Sequence, residues 1–412
     1  MWETFTTDLV DTSKRNVLGL AHSGSNIIKH VRKMHLLDRR IPSSNEDNLP
    51  MFLATIPRGQ LREFKCGSGV SSSALTIMLQ IHTDLEELSV SGTMISTLLD
   101  SLWIVGSFSG LTRMDIFVNR ISKASFQRLW SRCPRLAHIR LLRSVELFSS
   151  STTLDEKYFA SGQDLSLRDG ESGADTQRHD TLKLSSLYGG NITLPQTFNT
   201  MFQRIDILAL RELVLDDTEL VPRLLEAMAS EFGKGEPSLQ KLRLNNTDTQ
   251  TNEDFIYNLT ILLLSFSGLR QLHIRSKDCN KIDPDGIINH GETFTDLLIV
   301  NGGIHRKDSA KSTGAEDLQN IAIACPNLEQ ICLNLYEIHP DHPDHPGGDF
   351  LGPDPAVQES EATDFEDALA AIASMRNLHT LRLTNPHNYR RVYFRPGEFM
   401  RFHRRSLESG EQ

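Results

Sequence analysis

The chain has 412 residues, with 43 Lys and Arg against 53 Asp and Glu, a formal net charge of −10. Apolar residues make up 39% and charged residues 23%, which supports a folded core and excludes full disorder or a collagen-like chain. The acidic excess speaks against a nucleic-acid partner, because neutralising phosphates takes a surplus of Lys and Arg.

Residues 1–30 are expected to form an N-terminal helical cap or remnant. The opening MWETFTTDLV lacks the basic stretch and apolar run of a secretory signal. Five cysteines without regular spacing make no disulfide framework. No apolar run is long enough to span a bilayer. The expected location is cytoplasmic or nuclear, with no membrane partner.

From residue 31 a three-apolar phrase, L-xx-L-x-L, recurs eleven times. Its copies start at Val31, Leu61, Leu85, Leu111 and Leu136, and after a gap at Leu210, Leu239, Leu269, Phe294, Leu328 and Leu378. Such a triplet arises by chance at ~6% of positions, so the triplet alone decides nothing. The spacing decides it: most copies lie roughly 24–34 residues apart, the period of a leucine-rich repeat. Two copies follow the same pentapeptide, SFSGL, at Ser107–Leu111 and Ser265–Leu269, and two open with Cys-Pro, at Cys133 and Cys325. Three residues past the third apolar position stand Thr93, Asn119, Thr218 and Thr247, where a side chain can hydrogen-bond the turning backbone.

Each phrase is predicted to be a short strand with alternate residues pointing inward. Apolar helical stretches are predicted at 94–105, 124–130, 220–229, 255–264, 318–324 and 365–373. One strand–helix unit cannot bury its apolar face alone, so neighbours must stack. The predicted fold is an α/β leucine-rich-repeat solenoid over 31–385, a curved horseshoe with parallel strands on its concave side and helices on its convex side. Three polar segments interrupt it as loop insertions: 144–180, 302–315, and the acidic, Pro-rich 337–367. A weak further strand is expected at Leu182/Leu184. The Arg- and aromatic-rich segment 386–412 is expected to be a tail or cap.

The phrases CPRLAHIRL and CPNLEQICL resemble repeats common in F-box proteins, and NIIKHVRKMHLLDR resembles the first repeat strand of fungal F-box/leucine-rich-repeat proteins. Members of that family are substrate receptors of cullin-type ubiquitin ligases, with an F-box that holds the ligase adaptor and repeats that hold the substrate. The resemblance implies a non-catalytic, protein-binding receptor. The alternative is a stand-alone repeat scaffold or inhibitor with no ligase link. Residues 1–30 show no Leu-Pro-opened three-helix F-box, so the adaptor is an expected partner only if an F-box lies upstream.

No constellation points to an enzyme, a cofactor or a metal. In HPDHPDHP the histidines His339, His342 and His345 sit on a Pro-stiffened chain that points them apart, whereas a metal site needs ligands pre-positioned by a fold. Gly67-Ser-Gly69 lacks the third glycine of a dinucleotide loop, and no G-x-S-x-G elbow occurs. Cys133 and Cys325 are expected to be buried and inert, and Cys332 to be an accessible thiol on the strand face. The candidate partner-binding residues are Arg140, Lys241, Arg243, His273, Arg275 and Arg382, with Asp115 and Asp216 opposing. This basic band on an acidic protein is expected to take a protein partner with an acidic or phosphorylated segment, with Arg243 and Arg275 close together on consecutive strands.

Overall fold

The computed structural model describes residues 4–8, 28–37, 48–66, 72–90, 107–117, 131–142, 183–190, 205–216, 218, 221–246, 252–276, 283–301, 314–333, 366–383 and 392–394. They belong to two compact units. One consists of Met1–Leu136, Leu141–Leu182 and Thr200–Ile205, the other of Ala137–Arg140, Lys183–Asn199 and Asp206–Gln412.

In the first unit, strands β1 (Thr4–Asp8), β2 (Lys33–Leu37), β3 (Glu63–Cys66), β4 (Glu87–Val90) and β5 (Arg113–Phe117) pair in chain order, all parallel. The register aligns the second apolar residue of each phrase, Met34, Phe64, Leu88 and Met114, and all four are completely buried. Helices α1 (Asn48–Thr55) and α2 (Ser72–Ile81) lie between strands and pack on each other. At Thr4–Asp8 the chain is a strand, not the helix expected for 1–30: Thr4, Phe5, Thr6 and Thr7 favour extended backbone, and the edge of β2 offers it a ladder.

In the second unit, β6 (His138–Leu142, its residues through Arg140) neighbours β7 (Ser186–Gly190). Strands β8 (Glu212–Asp216), β9 (Lys241–Asn246), β10 (Gln271–Ser276), β11 (Asp296–Asn301), β12 (Gln330–Leu333) and β13 (Thr380–Leu383) follow, parallel from β7 onward. The row Leu187, Leu213, Leu242, Leu272, Leu297, Ile331 and Leu381 runs straight through them and is buried throughout. The weak strand expected at Leu182/Leu184 begins instead at Ser186. Its phrase is Leu184, Leu187 and Gly189, with a glycine in the third apolar place, opposite Leu215.

Helices α3 (Val221–Phe232), α4 (Asn252–Leu264), α5 (Pro284–Ile288), α6 (Ala315–Ala324) and a helix over 366–373 (α7) complete the repeats. The spacing of Val221, Leu224, Leu225, Met228, Ala229 and Phe232 puts one apolar stripe of α3 inward. A chain of rings ties coils together: Phe232 meets Phe266 edge-on at 5.0 Å, Phe266 meets His290 at 4.7 Å, and His290 stacks with Phe294 at 6.4 Å. The fold is an α/β leucine-rich-repeat-like solenoid.

One backbone oxygen per coil joins it to the next. The carbonyl of Arg62 accepts from the N–H groups of both Glu86 and Glu87, that of Gln240 from Arg270 and Gln271, and that of Glu329 from His379 and Thr380. Carbonyls of Arg32, Glu86, Ala137, Ser185, Arg211, Arg270 and Thr295 do the same. Side chains add to this: Thr112 Oγ1 and Thr295 Oγ1 donate to the same Glu86 and Arg270 carbonyls, and Asn327 Nδ2 donates to the Glu292 carbonyl and Asn377 Nδ2 to the Pro326 carbonyl, each of these two at 2.8 Å.

Buried Thr218 does what its position promised: its Oγ1 donates to the carbonyls of Gly189 and Asp216, both at 3.3 Å. Thr93, Asn119 and Thr247 lie outside the described residues, as do the helices expected at 94–105 and, entirely, 124–130. Insertion 144–180 is outside them too, and so are most of 302–315 and 337–367, including His339, His342 and His345, and Gly67–Gly69. From segment 386–412 only Val392–Phe394 is described, a strand (β14) that pairs with β13 antiparallel, unlike the parallel pairs from β7 to β13.

Candidate functional site

The two units differ in the chemistry of their strand faces, the sides opposite the buried rows. In the first unit the face is a self-neutralising ladder. Glu63 takes His35 Nε2 at 2.7 Å and Lys65 Nζ at 2.6 Å, with Lys33 at 3.9 Å. Lys65 reaches on to Glu87 at 3.1 Å, and Arg113 lies 3.4 Å from Glu87 and 4.0 Å from Asp115. Burial would raise the Glu63 carboxyl, but Lys65 and His35 bonded to it hold it below its ordinary value. Every cation from β2 to β5 named here has an acid beside it.

In the second unit the face has three rows, set by the register. The first reads Glu212, Lys241, Gln271, Asp296, Gln330 and Thr380. The second reads Tyr188, Val214, Arg243, His273, Leu298, Cys332 and Arg382. The third reads Asp216, Asn245, Arg275 and Val300.

Five of the six sequence candidates fall on β9, β10 and β13 or pack beside them. Lys241 pairs with Glu212 at 2.8 Å, and Arg243 Nε with Asp216 Oδ1 at 3.5 Å. Asp216 also accepts from the Tyr188 hydroxyl at 2.8 Å. Exposed Arg140 lies over the Tyr188 ring, 4.5 Å from its centroid, a cation–π contact. Burial, and then Asp216, raises the Tyr188 phenol above its ordinary value. Arg275 and Arg382 are exposed. Among the described residues no carboxylate stands within ion-pair distance of Arg275.

His273 is half-buried at the centre of this group. Burial pushes its imidazole down; Asp296 pulls it up, while Lys241, Arg243 and Arg382 push it further down. Its Nε2 and the neighbouring Asn245 Oδ1 are buried and have no hydrogen-bond partner among the described residues, which costs free energy.

Two expectations need correction. Arg243 and Arg275 do not stand side by side: Arg243 opposes His273, and Arg275 opposes Asn245, so the two arginines are diagonal. The reason is their place in the phrase, since Arg243 lies between the two strand leucines whereas Arg275 follows Ile274. Cys332 is not accessible. It is 3% exposed, because a short side chain set between Leu298 and Arg382 in the register sinks below both. Cys133 and Cys325 are buried as expected, and burial pushes their thiols up to about 12 and about 11. Asp115 is buried at 9% exposure.

The interleaved acids Glu212 and Asp216 were only half legible, because the register that pairs them with Lys241 and Arg243 is a tertiary fact. The apolar residues Leu298 and Val300 on the face escaped notice, since a scan for apolar phrases treats every apolar residue as core. Among the described residues no helix is long and apolar enough to cross a membrane, and no group of His, Cys, Asp and Glu is placed to hold a metal ion.

No family model and no curated protein sequence matches the chain. Similar solved structures include the yeast Rad7–Elc1 complex, at 15% identity and a TM-score of 0.42, covering 77% of this chain. This chain spans 65% of the length of the chain it matches there. A protein from Bacteroides fragilis matches at 10% identity and a TM-score of 0.31, over 80% of this chain and 67% of that one. The fold rests on the register of the chain's own strands.

Proposed function

We propose that this chain is a non-catalytic protein-binding repeat protein, whose partner docks an acidic segment on the strand face of the second unit, and that it serves as the substrate-receptor part of an F-box-type ubiquitin ligase system. The observation that carries the docking reading is Arg275, an exposed cation with no carboxylate in reach among the described residues, diagonal to exposed Arg243 on the neighbouring strand. Arg presents a planar fork of donors that matches carboxylate or phosphate. In the first unit the same face is already neutralised by its own acids. The ligase part rests on the resemblance of the Cys133 and Cys325 phrases to F-box-protein repeats.

Replacing Arg243 and Arg275 together by Glu tests the docking face. Neither side chain is in the core, so the circular-dichroism spectrum should not change. The double variant should fail to retrieve the protein that the wild-type chain captures, and raising salt should weaken the wild-type capture. Equal retrieval by the variant would place binding elsewhere. Depleting the chain in cells should lengthen the half-life of the captured protein if the chain is a ligase receptor; an unchanged half-life favours a stand-alone scaffold.

A further inference from the structure

Four large apolar side chains are exposed among the described residues: Tyr257, Ile261, Leu264 and Ile323. The first three stand on α4, at 67%, 38% and 50% exposure. Their spacing makes one line along the helix, with exposed Asp254 a turn ahead of it. Phe255, Ile256, Leu259, Leu262 and Leu263 fill the buried side of α4, so the core makes no use of the line. The neighbouring helices leave it open. α4 packs between α3 and α5, and α5 has five residues against thirteen in α4. α5 also sits close to the inner side of α4, where a Cβ on buried Gly286 would stand 3.1 Å from Leu263.

The surroundings of the line are acidic. Helices α3 to α7 carry nine Asp and Glu against one Lys or Arg, Arg223. Glu226 on α3, Asp254 on α4, Asp285 on α5 and Glu316 on α6 are exposed, and among the described residues no cation stands within ion-pair distance of any of them. Acids in a first turn suit the positive end of the helix dipole, which accounts for Asp254, Asp285 and Glu316. The dipole gives no account of the three apolar side chains.

We infer that α4 is a second interaction surface, which takes a basic amphipathic helix of a partner protein. Apolar side chains of that helix cover Tyr257, Ile261 and Leu264, and Lys or Arg beside them face Glu226, Asp254 and Asp285. The line from Tyr257 to Leu264 runs about 10 Å at ~1.5 Å per residue, the span of i, i+3 or i+4, and i+7 anchors on a partner helix. Charge chooses among the occupants. A second copy would bring the same unpaired acids against these, and like charges repel. An anionic membrane surface is repelled in the same way. A basic helix neutralises the acids while it covers the line, and covering exposed Tyr, Ile and Leu is favourable. This surface lies on the helix side of the second unit and does not depend on the strand-face reading above.

The test uses the full chain and three fluorescein-labelled helical peptides. The first has Leu along one helix face and Lys on the other; the second has the same composition with the Leu face scattered; the third carries Glu in place of Lys. Fluorescence anisotropy should show the first peptide binding at least tenfold more tightly than the other two. Tyr257→Ser with Leu264→Ser should weaken it at least tenfold, and Glu226→Gln with Asp254→Asn at least threefold, both with unchanged circular dichroism. Ile323→Ser, on α6 beyond α5, should leave binding unchanged, as should the Arg243/Arg275 double reversal. Equal binding of the first two peptides would reduce the surface to a plain acidic patch and sink the inference. So would binding indifferent to Tyr257 and Leu264, binding lost equally in Ile323→Ser, or no binding of the first peptide at millimolar concentration. Other occupants would overturn it as well. These would show as a dimer in sedimentation that Leu264→Ser dissolves, or as retention on phosphatidylcholine–phosphatidylserine vesicles that Leu264→Ser abolishes. Tenfold tighter peptide binding after Arg401→Glu, Arg404→Glu and Arg405→Glu together would give the line to the chain's own basic segment.

Discussion

His82 and His290 make the same hydrogen bond in different units: the Nδ1 of each accepts the backbone N–H that opens an apolar phrase, from Leu61 at 3.5 Å and from Leu269 at 3.4 Å. Both rings are buried, at 0% and 2% exposure. An acceptor nitrogen must be unprotonated, and burial pushes each imidazole from 6.5 down to about 4, against the pull of the Leu53 and Leu263 carbonyls. The unfolded chain therefore binds two more protons than the folded one between pH 6.5 and pH 4. Stability from these two groups is fully present above pH 6.5 and is lost as pH falls through 4, on the order of 3 kcal/mol for each. Urea midpoints at pH 7, 5.5 and 4 should fall accordingly. Replacing both histidines by Gln should flatten that slope, and a slope unchanged in the double variant would refute the assignment.

The twin SFSGL glycines hold their places for different reasons. Gly268 has φ +97°, a conformation that strains any L side chain, although nothing lies within 4 Å of where a Cβ would stand. Gly110 has no such φ, but a Cβ there would sit 3.1 Å from the Leu85 carbonyl oxygen. Gly268→Ala should cost about 1–2 kcal/mol through the backbone alone. Gly291 is tighter than either, with a Cβ falling 2.0 Å from the Ala324 carbonyl oxygen. Gly291→Ala should therefore be the most destabilising of the three by thermal melt, and a ranking with Gly268→Ala first would contradict this packing.

Cys66, Cys133, Cys325 and Cys332 are all buried. With thiols pushed up to about 12 and about 11, Cys133 and Cys325 carry almost no thiolate at pH 8. Iodoacetamide at pH 8, followed by peptide mapping, should leave these four unmodified in the folded chain and alkylate them in urea. Rapid native labelling of Cys332 would show that it lies nearer the surface than the register implies.

The Thr218 hydroxyl bonds two main-chain oxygens at the turn after β8. Thr218→Val keeps the shape and strands those carbonyls, at a cost of about 1–2 kcal/mol, readable as a lower urea midpoint. Thr218→Ser should recover most of it.

The apolar rows were legible because burial on a strand leaves a period in the residues themselves. Met34, Phe64 and Leu88 could be aligned by spacing alone, and so could Leu242, Leu272 and Leu297. What escaped depends on contacts outside the phrase. The strand at Ser186 was placed too early because Gly189 replaces the third apolar residue. Thr4–Asp8 and Val392–Phe394 are strands because a neighbouring edge pairs with them, which short segments do not announce. The candidate arginines were found by their place between strand leucines, yet their partners Glu212 and Asp216, and the diagonal of Arg243 and Arg275, follow from register. A hydrophobic pattern fixes which side of a strand is buried, not which residue of the next coil it meets.

The bifurcated backbone oxygen that joins successive coils belongs to Arg32, Arg62, Glu86, Ala137, Ser185, Arg211, Gln240, Arg270, Thr295 and Glu329, and residues as unlike as Ala, Thr, Glu and Arg serve because the acceptor is the main chain. Evolution can therefore rewrite these junctions without weakening them, provided the leucine rows persist. Descendants of such an ancestor drift apart in letters long before they drift apart in architecture, and new binding surfaces arise on a frame whose seams place few demands on side-chain identity.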